Sequence, residues 1–141
     1  VNGFNAAGTQ PVLAAPDPRA VTKPPPDPRL YVYQATAVAW VDGDTVKAEL
    51  SLGVRTWYHG PARIAHINAP ELHGDTAAAG QAAKAHAEEL WPAGESRVVR
   101  VNGLDKYGRL LLEVAFGADF LGLAKAMVAD GFAVGYEGGP R

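Results

Sequence analysis

An α+β fold that is mainly β, a small barrel of strands with two to three flanking helices, is predicted by three observations. Segments rich in aromatic and β-branched residues recur from Tyr31 to Phe116, separated by glycine-containing turns such as Asp42-Gly43 and Tyr107-Gly108. An alanine-rich segment, 75–90, and an apolar segment, 119–130, have helical character instead. The resulting order of strands, helix, strands, helix fits a sheet closed on itself and covered by helices.

Residues 1–29 precede this pattern as a proline-rich arm. Seven of the eleven prolines lie between Pro11 and Pro28, and their fixed dihedrals and missing donors exclude helix and regular strand. The arm reads as an extended linker, with docking onto its own domain or a partner as the alternative that Phe4, Val12 and Leu13 permit. The domain, residues 30–141, opens with a strand through Tyr31 to Trp40. Asp42-Gly43 turns it into a second strand over 45–52, and Gly53 turns that into a third over 54–59. Gly60-Pro61 is expected to break the pattern, with a further strand over 63–67 that Pro70 stops. The first helix follows over 75–90, capped by Asp75 or Thr76 and ended by Pro92-Ala93-Gly94. Strands over 97–101 and 110–116 flank a turn region containing Asn102-Gly103 and Tyr107-Gly108. Asp119 caps the second helix, Gly131 stops it, and Phe120, Leu123, Ala124, Met127 and Val128 form its apolar face.

Length and composition bound the function. A chain of 141 residues, 48% hydrophobic and 20% charged, makes one globular domain. Its net charge of -2 supplies no global field for nucleic acid, so a polyanion must be gripped locally. The absence of cysteine excludes disulfides, thiolate metal sites and a cysteine nucleophile, and leaves the compartment open. No stretch reaches the roughly 20 apolar residues of a membrane helix, so a soluble monomer without membrane contact is expected. The first residue is Val1, which fits either a removed upstream piece or a non-standard start.

Three segments carry chemistry. In Val41-Asp42-Gly43-Asp44-Thr45-Val46, two carboxylates beside a tight turn offer the hard oxygen ligands that suit calcium or magnesium, although alone this reads as a polar hairpin turn. In the second segment, Arg63 enters an otherwise apolar strand, where a guanidinium is costly unless it meets a carboxylate or phosphate. Strict alternation puts Arg63 and Asn68 on opposite faces, so their convergence requires a bend, expected near Ala69-Pro70. Glu71 beyond it is either a proton acceptor for water or a solvated loop acid. Asp105-Lys106-Tyr107-Gly108-Arg109 combines a cation, a stacking ring and a guanidinium suited to bidentate phosphate binding, and is otherwise an ordinary exposed turn. His59, His66, His73 and His86 lack metal-ligand spacing and read as surface or packing residues.

In this order and spacing, Asp42-Gly43-Asp44-Thr45-Val46, Arg63 with Asn68-Ala69-Pro70-Glu71, and Asp105 to Arg109 resemble the staphylococcal-nuclease (thermonuclease) family over about residues 31–138. The resemblance implies an OB-type five-stranded barrel and calcium-dependent endonucleolytic hydrolysis of DNA and RNA with low sequence specificity, leaving a 3'-phosphate. It implies that Asp44, Asn68 and the Ala69 carbonyl ligate one Ca2+ ion, with Asp42 nearby. Glu71 would act as general base, Arg63 and Arg109 would hold the scissile phosphate, and Lys106, Tyr107 and Tyr136 would line the nucleotide pocket. Asn68 departs from the family's usual aspartate: it keeps an oxygen and loses a charge, so weaker calcium binding is expected. The chain also stops at Arg141, without the prototype's further C-terminal helix. An extracellular setting, or a host cytoplasm if the protein is phage-encoded, fits this function. The alternatives are a non-catalytic OB-type module binding nucleic acid or protein through a weakened metal site, and a structural component attached through its arm.

Overall fold

Alternating apolar residues build a closed five-stranded barrel in the computed structural model, which describes residues 31–137. The strands are β1 (Val32–Asp42), β2 (Thr45–Gly53), β3 (Thr56–Ile64), β5 (Ser96–Leu104) and β6 (Leu110–Val114), hydrogen-bonded in the order β1-β2-β3-β6-β5. An antiparallel ladder from Val32↔Arg100 to Thr36↔Ser96 closes the barrel, and a short parallel ladder from Ala62↔Leu110 to Ile64↔Leu112 joins β3 to β6. Parallel neighbours need a long crossover. Here it contains β4 (Ile67–Asn68), a 3-10 turn (Gly74–Thr76) and helix α1 (Ala77–Leu90). Helix α2 (Gly122–Ala129) and β7 (Val134–Gly135) follow the barrel, and β7 pairs with β4 in a two-stranded sheet.

The barrel interior is filled by Ala35, Ala37, Val46, Ala48, Leu50, Ala62, Ile64, Val99, Leu112 and Val114, all fully buried or nearly so. Small and branched residues suit so narrow a lumen. A bulge between Ala37 and Ala39 shifts the β1 register, so Trp40 turns inward where strict alternation would place Ala39. Trp40 meets Trp91 edge to face, with centroids 6.1 Å apart, and its indole N–H donates to the Trp91 carbonyl at 2.9 Å. The Trp91 indole in turn donates to the Glu95 carbonyl at 2.9 Å, so both buried indoles are satisfied.

Several local expectations are corrected. Gly60-Pro61 does not break β3, which runs through both residues paired to β2 as Ala48↔Gly60 and Lys47↔Pro61. The paired β6 residues begin only opposite Ala62, so Pro61 lies where β3 has β2 alone for a partner, and a missing donor is tolerated there. Gly60 instead makes room for the Tyr58 ring, whose hydroxyl donates to the Pro61 carbonyl at 2.9 Å. The strand expected over 63–67 is two elements, separated by a turn at Ala65 and His66. Asn102-Gly103 is an irregularity inside β5, where the register shifts between Val101 and Leu104; only 105–108 form the turn.

Neither helix has the side-chain cap expected of it. Thr76 occupies the N-cap position of α1, but its hydroxyl donates backward to the Glu71 and His73 carbonyls. Asp119 accepts the Leu121 N–H and so organises the turn before α2, not the helix itself. Gly131, at φ 84°, does terminate α2 as a left-handed residue. Leu123, Ala124 and Met127 form the buried face, whereas Phe120 precedes the helix and Val128 is exposed. The arm, residues 1–29, lies outside the described residues. Among those described, no helix is long and apolar enough to cross a membrane.

Trp91 is fully buried where α1 passes into β5, packed edge to face against Trp40 of β1. Trp91→Ala is therefore expected to cost about 3–5 kcal/mol. Urea denaturation followed by far-UV circular dichroism measures it, and a loss below about 1 kcal/mol would contradict a packing role for the Trp91 ring.

Candidate active site

Beyond Trp40, β1 reverses into β2 through Gly43 and Asp44, with Asp42 paired to Thr45. Asp42 Oδ1 accepts the Asp44 N–H at 3.0 Å, which fixes the turn. Gly43 touches neighbouring elements so closely that a Cβ built on it would lie 2.7 Å from the Ala83 Cβ and 2.8 Å from the Ala69 Cβ. The turn is thus wedged between α1 and the segment after β4, and Asp44 is 4% exposed as a result. Its Oδ2 accepts the Ala69 N–H at 2.9 Å, and the Thr45 hydroxyl donates to its Oδ1 at 3.3 Å.

Arg63 stands opposite Thr45 in the β2–β3 ladder and is 6% exposed. Its Nη1 donates to the carbonyls of Ile64 and Ile67, both at 2.9 Å, and its Nη2 to Asn68 Oδ1 at 2.8 Å. Nη2 also lies 3.4 Å from Asp44 Oδ2, and the guanidinium carbon is 5.5 Å from the centre of the Tyr136 ring. The expected convergence of Arg63 and Asn68 therefore occurs, but the bend comes before Ala69-Pro70. It is made by His66 at φ 74°, a conformation in which an L residue is uncommon.

Arg109 approaches from the β5–β6 turn. Its Nε donates to Asp105 Oδ2 at 2.6 Å and its Nη1 to the Thr45 hydroxyl at 3.3 Å. Asp105 also accepts the backbone N–H groups of Tyr107 and Arg109, each at 2.9 Å. Burial alone would raise the Asp105 pKa, but the Arg109 and Tyr107 donors outweigh it and hold the carboxyl below its ordinary value. The Tyr107 ring is 72% exposed and carries two cations, Lys106 Nζ at 5.2 Å and the Arg109 guanidinium at 5.5 Å from its centre.

Six of the residues selected from the sequence are thus joined by contacts: Asp42 to Asp44, Asp44 to Ala69 and Arg63, and Arg63 to Asn68 and Tyr136. Arg109 joins them through Thr45, while Lys106 and Tyr107 project from the adjoining turn. The Glu71 side chain is exposed, and its backbone is held from two directions: the Thr76 hydroxyl bonds its carbonyl, and Gly80 of α1 packs against it with no room for a Cβ.

Asp42 is perturbed in the opposite direction to Asp105. Burial, followed by the hydrogen bond and negative charge of Asp44, pushes its carboxyl up to about 6. Two carboxylates held together in this way, with the Asn68 amide and Ala69 backbone adjacent, make a set of hard oxygen donors. Among the described residues no group of three or more His, Cys, Asp or Glu is gathered for a metal, so neutral oxygens must complete any coordination.

Three further residues, Thr45, His66 and Glu113, join this network. Thr45 links Asp44 to Arg109, and its only signal was its place in the turn motif. His66, read as a surface or packing residue, makes the bend and bonds Glu113 at 2.7 Å. Glu113 itself is 7% exposed, and as a lone charge in Leu110-Leu111-Leu112-Glu113-Val114 it carried the signal that singled out Arg63.

Residues 61–140, more than half of the chain, match the family model described as staphylococcal nuclease homologue. The match covers Arg63, Asn68, Ala69, Glu71, Lys106, Tyr107, Arg109 and Tyr136, and begins after Asp42 and Asp44. No curated protein matches the chain.

Two outcomes follow from the packing and charge of the aspartate turn. Gly43→Ala is expected to destabilise the fold by about 1–3 kcal/mol, because both facing groups are short, rigid Cβ atoms, and equilibrium urea unfolding reads the loss. The raised Asp42 pKa means that its contribution favours the folded state below the unfolded value of 3.8 and is lost as pH rises through about 6. Asp42→Asn should then exceed the parent in stability at pH 7.5 in metal-free buffer, with the advantage gone below about pH 4. A pH-independent difference between the two proteins would contradict the assigned cause.

Proposed function

The chain belongs to the staphylococcal nuclease family, and on that premise we propose that it is a calcium-dependent endonuclease hydrolysing DNA and/or RNA with low sequence specificity. One observation carries this reading: two arginines from different parts of the barrel reach the same Asp44-Thr45 pair, Arg63 at Asp44 and Arg109 at Thr45. Two guanidinium groups beside hard oxygen donors match a reaction in which charge accumulates on the non-bridging oxygens of a phosphodiester.

In this reading Asp44, Asn68 and the Ala69 carbonyl would hold one Ca2+ ion, with Asp42 close by. The fit rests on the donor set itself, two carboxylates and two neutral oxygens, all hard ligands, with Asp42 raised by burial and then by the hydrogen bond and negative charge of Asp44. When bound, the cation neutralises phosphate charge and orients the scissile group. Arg63 and Arg109 bind the same phosphate and strengthen their hold as its charge grows. Their acceptors fix both guanidinium planes in advance, so little reorganisation is needed at the moment of reaction. Glu71 takes a proton from the attacking water as its oxygen bonds to phosphorus; the P–O5' bond breaks, the 5'-oxygen takes a proton from solvent to leave as a hydroxyl, and the phosphate stays on the 3'-oxygen. Tyr107, Lys106 and Tyr136 hold the nucleotide by stacking and charge, contacts that discriminate little between sequences.

A second reading, a binding module without cleavage, is favoured by Asn68, whose uncharged amide already accepts from Arg63. One assay separates the two. Labelled single-stranded DNA and RNA are incubated with calcium or with chelator and the product ends analysed. Calcium-dependent products ending in 3'-phosphate are expected, whereas oligonucleotide binding without products at any protein concentration favours the binding module. Arg109→Ala is expected to lower kcat roughly 100- to 1,000-fold with the circular dichroism spectrum unchanged. Asn68→Asp should tighten calcium binding measured by calorimetry, and an unchanged affinity would remove Asn68 from the ligand set.

A further inference from the structure

The corner between β3 and β4 sets the geometry of the site. Arg63 and Asn68 lie on opposite sides of it, the carbonyls of Ile64 and Ile67 within it receive Arg63 Nη1, and the His66 carbonyl receives the Tyr136 N–H at 2.8 Å. Its apex, His66 at φ 74°, is in the left-handed region, which few L residues occupy, and here the surroundings grip the side chain.

Those surroundings are specific. His66 Nε2 lies 2.7 Å from Glu113 Oε2, and Nδ1 lies 2.9 Å from Glu137 Oε1. Glu113 sits on β6 and is 7% exposed, with its other oxygen receiving Arg100 Nε at 2.5 Å. Arg100 on β5 is in turn covered by Phe120, the ring centre 4.6 Å from the guanidinium carbon. The imidazole therefore links the corner to two adjacent barrel strands, β5 and β6.

We propose that His66, anchored by Glu113, is a positioning residue that fixes the β3–β4 corner and through it aligns Arg63, Asn68 and Tyr136. The role rests on the nuclease reading above and adds a part of the machinery that touches no reacting atom. Glu113 supports the corner through His66, so the two residues act as one unit.

The test compares the full chain with His66→Gly, Glu113→Gln and the double variant. Glycine adopts φ 74° without strain, so His66→Gly removes the link while leaving the corner conformation accessible. Its kcat on single-stranded DNA should fall roughly 10- to 100-fold, with KM changed less than about threefold, as expected for misplaced groups rather than lost binding. Independently of activity, hydrogen exchange at the Tyr136 amide should quicken in His66→Gly while exchange at the core Val99 amide stays parental. Glu113→Gln should act in the same direction, and the double variant should lose no more than His66→Gly alone. Parental kcat and parental Tyr136 protection in His66→Gly, or additive losses in the double variant, would overturn the proposal. If the parent cleaves nothing, the nuclease reading fails, and the amide exchange still decides whether His66 orders the corner.

Discussion

The burial of the Arg63 guanidinium is the constraint on which the site is built. Left unpaired at 6% exposure, this cation would cost several kcal/mol, and the surrounding chain is arranged so that it does not. Its donors meet two backbone carbonyls and an amide oxygen, with a carboxylate at 3.4 Å, all within Asp44 and the stretch 64–68. A charge-assisted hydrogen bond contributes about 1.5–3 kcal/mol, so three of them are of the order needed to offset desolvation. The acceptors can surround the guanidinium only because the chain turns at His66, and the turn brings Asn68 and Tyr136 to the same place. Satisfying one buried cation thereby gathers the residues of the candidate site.

A second constraint is distance. The aspartate turn and the segment from Ala69 to Glu71 approach α1 closely enough to exclude any Cβ at Gly43 and at Gly80. The alanine-rich composition of α1 has its explanation here: small side chains let the helix axis come near the two loops that carry the oxygen donors. Ala83 and Ala87 are fully buried on that face. The close contacts in this part of the molecule are made by backbone and alanine Cβ atoms, not by interlocking large side chains.

Much of this was legible in the sequence, and the failures have a common cause. Turn chemistry at Asp42-Gly43 and Tyr107-Gly108, the helix stop at Gly131 and the isolation of Arg63 in an apolar strand were correctly read because each depends on neighbours within a few residues. Gly60-Pro61 was misread as a break because a proline's cost depends on whether a strand lies on its donor side. Asn102-Gly103 was misread as a turn because a bulge and a turn share the same glycine preference. Asp119 and Thr76 satisfy the composition rule for helix caps, yet their oxygens find nearer partners in the preceding turns. Glu113 and His66 were passed over although Glu113 carried the same signal as Arg63, and each gains its meaning from a partner about fifty positions away.

By itself the sequence determined the mainly-β barrel with flanking helices and the family, and it singled out candidate residues whose types suit phosphate and metal chemistry, because periodicity, turn preference and motif spacing are local properties of the chain. Only the tertiary structure decided how those residues meet. The left-handed bend at His66, the Thr45 link between Asp44 and Arg109, and the buried His66–Glu113–Arg100 connection depend on strand register and on burial, which arise when distant segments pack and displace water.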